Sequence, residues 1–157
     1  AKEVIKKGKR MIILVNKWDL ASGTDISAEL YKEDMYDEFK DLRHYPILFV
    51  SALTKRRVSN ILEVAWDIFT KQREKLSTKK LNEWVEKAVR NYPPPAKLGK
   101  SIKLKFIEQV QQSPPIFAIF SNYPKLISVQ YLRYLHNQLR DSFDLKGITI
   151  KFSLRKG

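Results

Sequence analysis

Apolar positions fall first into two short unbroken runs and then into periodic patterns. Residues 11–15 (Met-Ile-Ile-Leu-Val) and 47–50 (Ile-Leu-Phe-Val) contain no polar residue, as expected of strands buried on both faces of a parallel sheet. Residues 1–7 read as the end of a helix, with Gly8 just past its last turn. A loop of Ser, Gly, Thr and Asp at 21–27 leads into residues 28–43, where Leu30, Met35, Phe39 and Leu42 stand among charges and predict an amphipathic helix. Residues 58–75 carry Val58, Ile61, Leu62, Ala65, Ile68 and Phe69 at helical spacing. Strand, helix, strand, helix is the order of a doubly wound parallel sheet.

A second unit is predicted from residue 77 onward. Leu81, Trp84, Val85, Ala88 and Val89 form one helical stripe, ended by Asn91, Tyr92 and three consecutive prolines at 93–95. Ile102, Leu104 and Phe106 alternate with Lys103 and Lys105, which predicts a strand with one basic face. Pro114 and Pro115 separate it from residues 116–122 (IFAIFSN), apolar on both faces and therefore expected at the centre of its sheet. Residues 128–143 predict a helix capped by Ser128, with Leu132, Leu135, Leu139 and Phe143 turned to the core and Gly147 after its end. Ile148, Ile150, Phe152 and Leu154 then alternate with Thr149, Lys151, Ser153 and Arg155 as a last strand. The expected organisation is an α/β unit over residues 1–76 and a small α+β unit over residues 77–157.

Charge separates the two units. Residues 1–76 hold 15 Lys/Arg against 12 Asp/Glu, whereas residues 77–157 hold 15 against 5. Nearly all of the net charge of +13 therefore lies in the second unit, which is the part expected to face a polyanion, RNA foremost. The competing reading is a lysine-rich surface that serves only solubility. A mean hydropathy of −0.39 suits a chain that folds in water. No apolar run reaches the roughly 18–20 residues that span a bilayer, and the start shows no signal-peptide pattern. With no cysteine there is no disulfide framework and no thiolate metal site, as suits a reducing cytoplasm.

The first apolar run ends in Asn16-Lys17-Trp18-Asp19. Guanine presents two adjacent donors, N1–H and its exocyclic amine, and one carboxylate can accept both. Adenine places a lone pair at N1, which that carboxylate repels. Asp19 suits this role, Asn16 can brace the loop, and the aliphatic stem of Lys17 can lie against the base. Ser51 and Ala52, directly after the second run and 32 residues beyond Asp19, are placed to cover guanine O6 with a backbone N–H. The competing reading is an Asn/Asp turn after a strand, with Lys17 merely solvated.

A base reader needs a triphosphate grip, and the pattern G-x-x-x-x-G-K-[ST] is missing. Gly99-Lys100-Ser101 imitates its end, but position 94 is proline and no strand precedes it. Asp144-Leu145-Lys146-Gly147 imitates a Mg²⁺-linked Asp-x-x-Gly loop in the wrong order, after the guanine motif. No catalytic residue and no metal ligand is assigned. His44 and His136 read as surface or packing residues.

NKWD and FVSAL resemble the fourth and fifth motifs of translation-factor-like GTPases. NYPPPAKLGKSIKLKFIEQV, SPPIFAIFSNYP, YLRYLHNQLRDSF and GITIKFSLRK resemble the C-terminal KH-like domain of the Der (EngA) family, bacterial tandem GTPases. The resemblance covers nearly all of the chain. It implies the C-terminal part of a P-loop GTPase domain followed by a KH-like domain, in a parent that acts in assembly of the large ribosomal subunit. The family's phosphate loop and switches would lie before Ala1, so GTP or GDP with Mg²⁺ belongs to the intact parent. The chain alone is expected to be an inactive fragment that holds nucleotide weakly and self-associates through an open sheet edge. Between residues 120 and 128 no Gly-x-x-Gly occurs, which departs from RNA-clamping KH domains. Lys103, Lys105, Arg133, Arg140, Lys151 and Arg155 remain as candidate phosphate contacts on rRNA, beside docking on the parent's own GTPase domains. The alternatives are an Era-like protein with one GTPase domain and a KH domain, and a stand-alone RNA-binding module.

Overall fold

The two unbroken apolar runs pair with each other. β1 (Ile13–Val15) and β2 (Ile47–Phe49) lie in parallel, Ile13 beside Ile47 and Val15 beside Phe49. A parallel pair needs a crossover, which contains α2 (Ala28–Glu38) here; Ser27 caps it, Oγ accepting the Leu30 N–H at 3.0 Å. α1 (Lys2–Lys6) precedes β1 and α3 (Ser59–Arg73) follows β2. The computed structural model describes residues 1–21 and 23–157, the side chains of Lys2 and Gln72 aside. These residues form two units, Ala1–Lys71 with Lys146–Ile148 and Gln72–Leu145 with Thr149–Gly157.

The first unit's core gathers Tyr36, Leu42, Ile47 and Phe49, with Met11, Ile13, Val15, Trp18, Ala28 and Met35 packed around them. Gly147 completes this unit: its N–H donates to the His44 carbonyl at 2.7 Å and its carbonyl accepts from the Met11 N–H at 3.4 Å. Its φ is +78°, and a Cβ there would stand 2.5 Å from Ile68 Cδ1, so only glycine fits.

Two expectations for this unit change. The helix over residues 28–43 breaks at Phe39, whose φ of −124° and ψ of 75° end α2 before a 3₁₀ turn at Lys40–His44. Tyr36 and Leu42 are buried while Leu30 and Phe39 are exposed, because the helix aims Ala28 and Met35 at the sheet. On α3 the expected stripe is covered only in part: Ile68 is buried, Leu62 exposed.

The second unit has a three-stranded sheet in the order β3 (Leu104–Gln112), β4 (Pro115–Ser121), β5 (Lys151–Lys156). β4 is central, antiparallel to β3 and parallel to β5. That placement explains why IFAIF is apolar on both faces: Phe117, Ala118 and Ile119 are fully buried. α4 (Thr78–Asn91) and α5 (Val129–Ser142) cover one face. Asn82 on α4 bonds the Ile107 N–H and carbonyl at 3.0 and 2.9 Å, fastening the helix to β3. Tyr131 and Tyr134 on α5 donate to the Tyr92 and Ala88 carbonyls, each at 2.9 Å. Ser128 caps α5 as expected, its Oγ accepting the Tyr131 N–H at 3.1 Å.

β3 is longer than its apolar alternation suggested. It runs on through Glu108–Gln112, and an irregularity between Leu104 and Phe106 shifts its register. The extra residue turns Phe106 outward and brings Ile107 and Gln109 into the buried row. The last strand begins at Lys151 rather than at residue 148, although Ile148 and Ile150 are both buried. No helix of the described residues is long and apolar enough to cross a membrane.

Two buried tyrosines make a contrast that stability measurements can read. Burial raises both hydroxyls above their ordinary value of 10.0, with Glu33 adding at Tyr36 against Arg43, and Tyr134 and Tyr92 adding at Tyr131. Tyr131 Oη is hydrogen bonded, whereas Tyr36 Oη finds no partner among the described residues. Tyr131→Phe is therefore expected to destabilise the chain by about 1 kcal/mol, and Tyr36→Phe to be neutral or stabilising, in urea melts at neutral pH. Each hydroxyl ionises more readily in the unfolded chain, so stability is lost as pH rises past 10.0, and either substitution should lessen that loss.

Candidate functional site

Parallel pairing brings the loops after β1 and β2 to the same end of the first sheet. The register continues past the strands: the Val50 N–H donates to the Val15 carbonyl at 2.9 Å and the Trp18 N–H to the Val50 carbonyl at 3.0 Å. Asn16 joins the loops. Its Oδ1 accepts the Lys17 N–H at 2.8 Å and, from the other loop, the Ala52 N–H at 3.1 Å. Lys17 takes a left-handed φ of 60°, uncommon outside glycine and asparagine, and is exposed. That reversal starts a 3₁₀ turn, Trp18–Ala21, which carries Asp19.

Asp19 is half-buried, and its Oδ1 is a buried acceptor without a hydrogen-bond donor among the described residues. Trp18 holds the turn in place, its ring 4.3 Å from Phe49 and edge-on to Tyr31 at 5.6 Å. Trp18, Tyr31 and Phe49 were not singled out from the sequence; the aromatic residue inside the motif and the one before Val50 were the available signal. Ser51 is buried, its N–H donating to the Arg56 carbonyl at 3.2 Å and its Oγ accepting the Thr54 N–H at 3.1 Å.

The Ser51 and Ala52 N–H groups do not stand free for a base oxygen: Arg56 engages the first and Asn16 the second. The geometry makes Ser51 a framework residue of its loop, and Ala52 the end of the Asn16 bridge.

Gly99-Lys100-Ser101 lies in a two-residue hairpin turn. Lys97 and Lys100 exchange backbone hydrogen bonds of 3.1 and 3.0 Å across Leu98 (φ 53°) and Gly99 (φ 68°). A turn so closed has no ring of N–H groups for phosphates. Among the described residues no group of three His, Cys, Asp or Glu side chains is placed to hold a metal ion.

The six candidate phosphate contacts do not form one surface. Lys103 precedes β3, Lys105 sits in its irregular stretch, and Arg155 lies near the end of β5, all exposed and all at one end of the sheet. Lys151 is exposed at the other end of β5, about 13 Å from Arg155 at the usual strand rise. Arg133 is exposed on α5, in the helical layer. Arg140 is a correction: only 5% exposed, it donates from Nη1 to the Leu145 carbonyl at 3.0 Å and fastens the segment after α5. Its helical position on the buried side, one residue past Leu139, removes it from any phosphate.

The chain is 40% identical to a GTPase Der of Flavobacterium johnsoniae over 151 residues, 96% of this chain and 35% of that protein. It is 36% identical to the GTPase Der of Chloroherpeton thalassium over the same shares, and 34% identical to that of Rickettsia prowazekii over 99% of this chain and 36% of the relative. The chain thus spans about a third of the length of the curated relatives it matches. Among solved structures, Aquifex aeolicus Era bound to GDP·AlF4⁻ matches with a TM-score of 0.33 and 16% identity over 99% of this chain and 60% of its own, too loose a superposition to carry weight. Residues 75–155, the sheet and helices of the second unit, match the family of KH-like domains found C-terminally in EngA bacterial GTPase enzymes, and the chain belongs to that family.

Proposed function

We propose that the chain supplies the guanine-reading end of a GTPase, joined to a KH-like domain that meets ribosomal RNA during assembly of the large subunit in the bacterial cytoplasm. The observation that carries the first part is the buried Asp19 Oδ1, without a donor among the described residues, on a turn held by Asn16 and Trp18. A buried acceptor without a partner costs about 1–3 kcal/mol, which a base offering two adjacent donors would recover. Asn16 keeps the two loops together before the base arrives, and Lys17 stands exposed beside it with its stem available to the base plane. Ala52 can pass its N–H from Asn16 to a purine O6 by a small change of the loop.

Phosphates and Mg²⁺ would be held by other parts of the longer protein, where hydrolysis is phosphoryl transfer to water. The residues described here bind and select the base. The relatives' shared name, GTPase Der, supports the reading that the longer protein is a GTPase. The second part rests on the basic end of the second sheet and on the family's KH-like domain. The boundary between base-reading and KH-like parts is proposed to lie between residues 76 and 77.

Two experiments test this reading. In the full-length protein that contains this sequence, Asp19→Asn replaces an acceptor with a donor that opposes the guanine amine but complements the carbonyl of xanthine. GTP affinity measured by calorimetry should fall about 100-fold and xanthosine triphosphate should bind in its place; unchanged GTP affinity would refute the role of Asp19. For the second unit, RNA affinity should fall steeply with salt. Replacing Lys103, Lys105 and Lys151 by Gln should lower the slope of log K against log salt by about 2, whereas an unchanged slope would remove those lysines from the interface.

A further inference from the structure

We propose that the end of the β3–β4–β5 sheet carrying Phe106 is a stacking platform for single-stranded RNA, on which an unpaired base lies against Phe106 while the cations around it take the neighbouring phosphates. The proposal rests on the reading that the second unit meets RNA, and adds the form of RNA and the group that receives it.

The aromatic part is a ladder across the sheet. Phe106 on β3 and Phe120 on β4 are directly paired, and their rings stack at 4.0 Å with only 8° between planes. Arg155, paired with Phe120 from β5, brings its guanidinium 5.9 Å from the Phe120 ring. Phe120 lies one residue beyond Ile119, whose row faces the helices, so the ladder occupies the opposite face. One end of the ladder is closed by Arg155. The other is Phe106, which is 39% exposed. An undisturbed alternation would have sent this residue inward with Ile102, which is buried; the irregularity at Leu104–Phe106 turns it out.

The charged part surrounds the ladder. Because β4 runs against β3 and with β5, the start of β3, the end of β4 and the end of β5 coincide. Residues 97–106, 120–126 and 153–157 meet there and contain seven Lys/Arg and no Asp or Glu. The approach to β3 is held in place: Asn122 Oδ1 accepts the Lys103 N–H at 2.8 Å and its Nδ2 donates to the Ser101 carbonyl at 3.0 Å. A second cation–aromatic pair stands beside it, Lys100 Nζ 4.9 Å from the Tyr123 ring.

Rings and cations select different things. Cations attract any polyanion, duplex or single strand. An exposed aromatic face gains only from a base whose own face is free, and in a duplex those faces are already stacked. The combination favours a single strand, and it does so without a Gly-x-x-Gly loop.

The test uses the 157-residue chain, a fluorescein-labelled oligoadenylate of about eight nucleotides, and the same strand annealed into an RNA duplex, compared by anisotropy at low salt. The single strand should bind at least about fivefold tighter, and Phe106→Leu should weaken it roughly tenfold while leaving duplex affinity and the salt slope unchanged. A Phe106→Trp variant keeps a ring at the site; its added emission should be quenched by the single strand and not by the duplex. This readout decides the matter if the Leu variant loses its circular dichroism. Equal affinity for strand and duplex, no effect of Phe106→Leu in a folded protein, or no quenching would overturn the platform and leave an electrostatic RNA contact standing. No binding of either RNA at low salt would overturn the platform together with the RNA reading of this unit.

Discussion

The first unit's site depends on one carbonyl oxygen. Asn16 Oδ1 accepts an N–H from its own loop and another from the loop after β2, and so holds together two segments 36 residues apart. Neither loop is long enough to fold by itself. What brings them within reach is the parallel pairing of β1 and β2, and what aims Asp19 is the left-handed backbone at Lys17 with Trp18 pressed on Phe49. The site is therefore a product of register: an antiparallel pairing would send the two loops to opposite ends of the sheet.

The second unit is organised around a different constraint. β4 is apolar on both faces because it lies between two strands and beneath two helices, and it alone sets the direction of both neighbours. Its antiparallel pairing with β3 and parallel pairing with β5 collect lysines and arginines from distant segments at one end. Charge that looks diffuse along the sequence becomes local. The same topology disperses Lys151 and Arg133, and it buries Arg140 beside Leu139, where a guanidinium serves to hold the chain after α5.

Most elements were legible from periodicity. Unbroken runs at 11–15 and 47–50 became parallel strands, and the Leu81–Ala88 stripe became a buried helical face. The doubly apolar run at 116–122 became the central strand. Capping was legible at Ser128, because a hydroxyl before a helical pattern has few better uses, whereas the Ser27 cap was hidden in a loop of similar residues. What stayed hidden depended on a single backbone angle or on a tertiary partner. The break at Phe39 and the bulge before Phe106 each displace one residue, and alternation read from sequence carries no mark of such a displacement. Arg140 was misplaced because helical spacing assigned it with Arg133, whereas burial of a long cation is decided by the carbonyl it reaches. For the loop after β1, the motif named Asn16, Lys17 and Asp19, but not that Asn16 would engage the Ala52 N–H.

The central claim is that Asp19 and the Asn16 bridge form a site for guanine rather than an ordinary turn. The most direct test is a proton–nitrogen NMR titration of the 157-residue chain with millimolar guanosine monophosphate and, separately, adenosine monophosphate, followed at the amides of Lys17, Asp19 and Ala52. The account predicts that the guanine nucleotide shifts these three amides, weakly but saturably, and that the adenine nucleotide leaves them in place. Equal shifts with both nucleotides, or none with either, would contradict it.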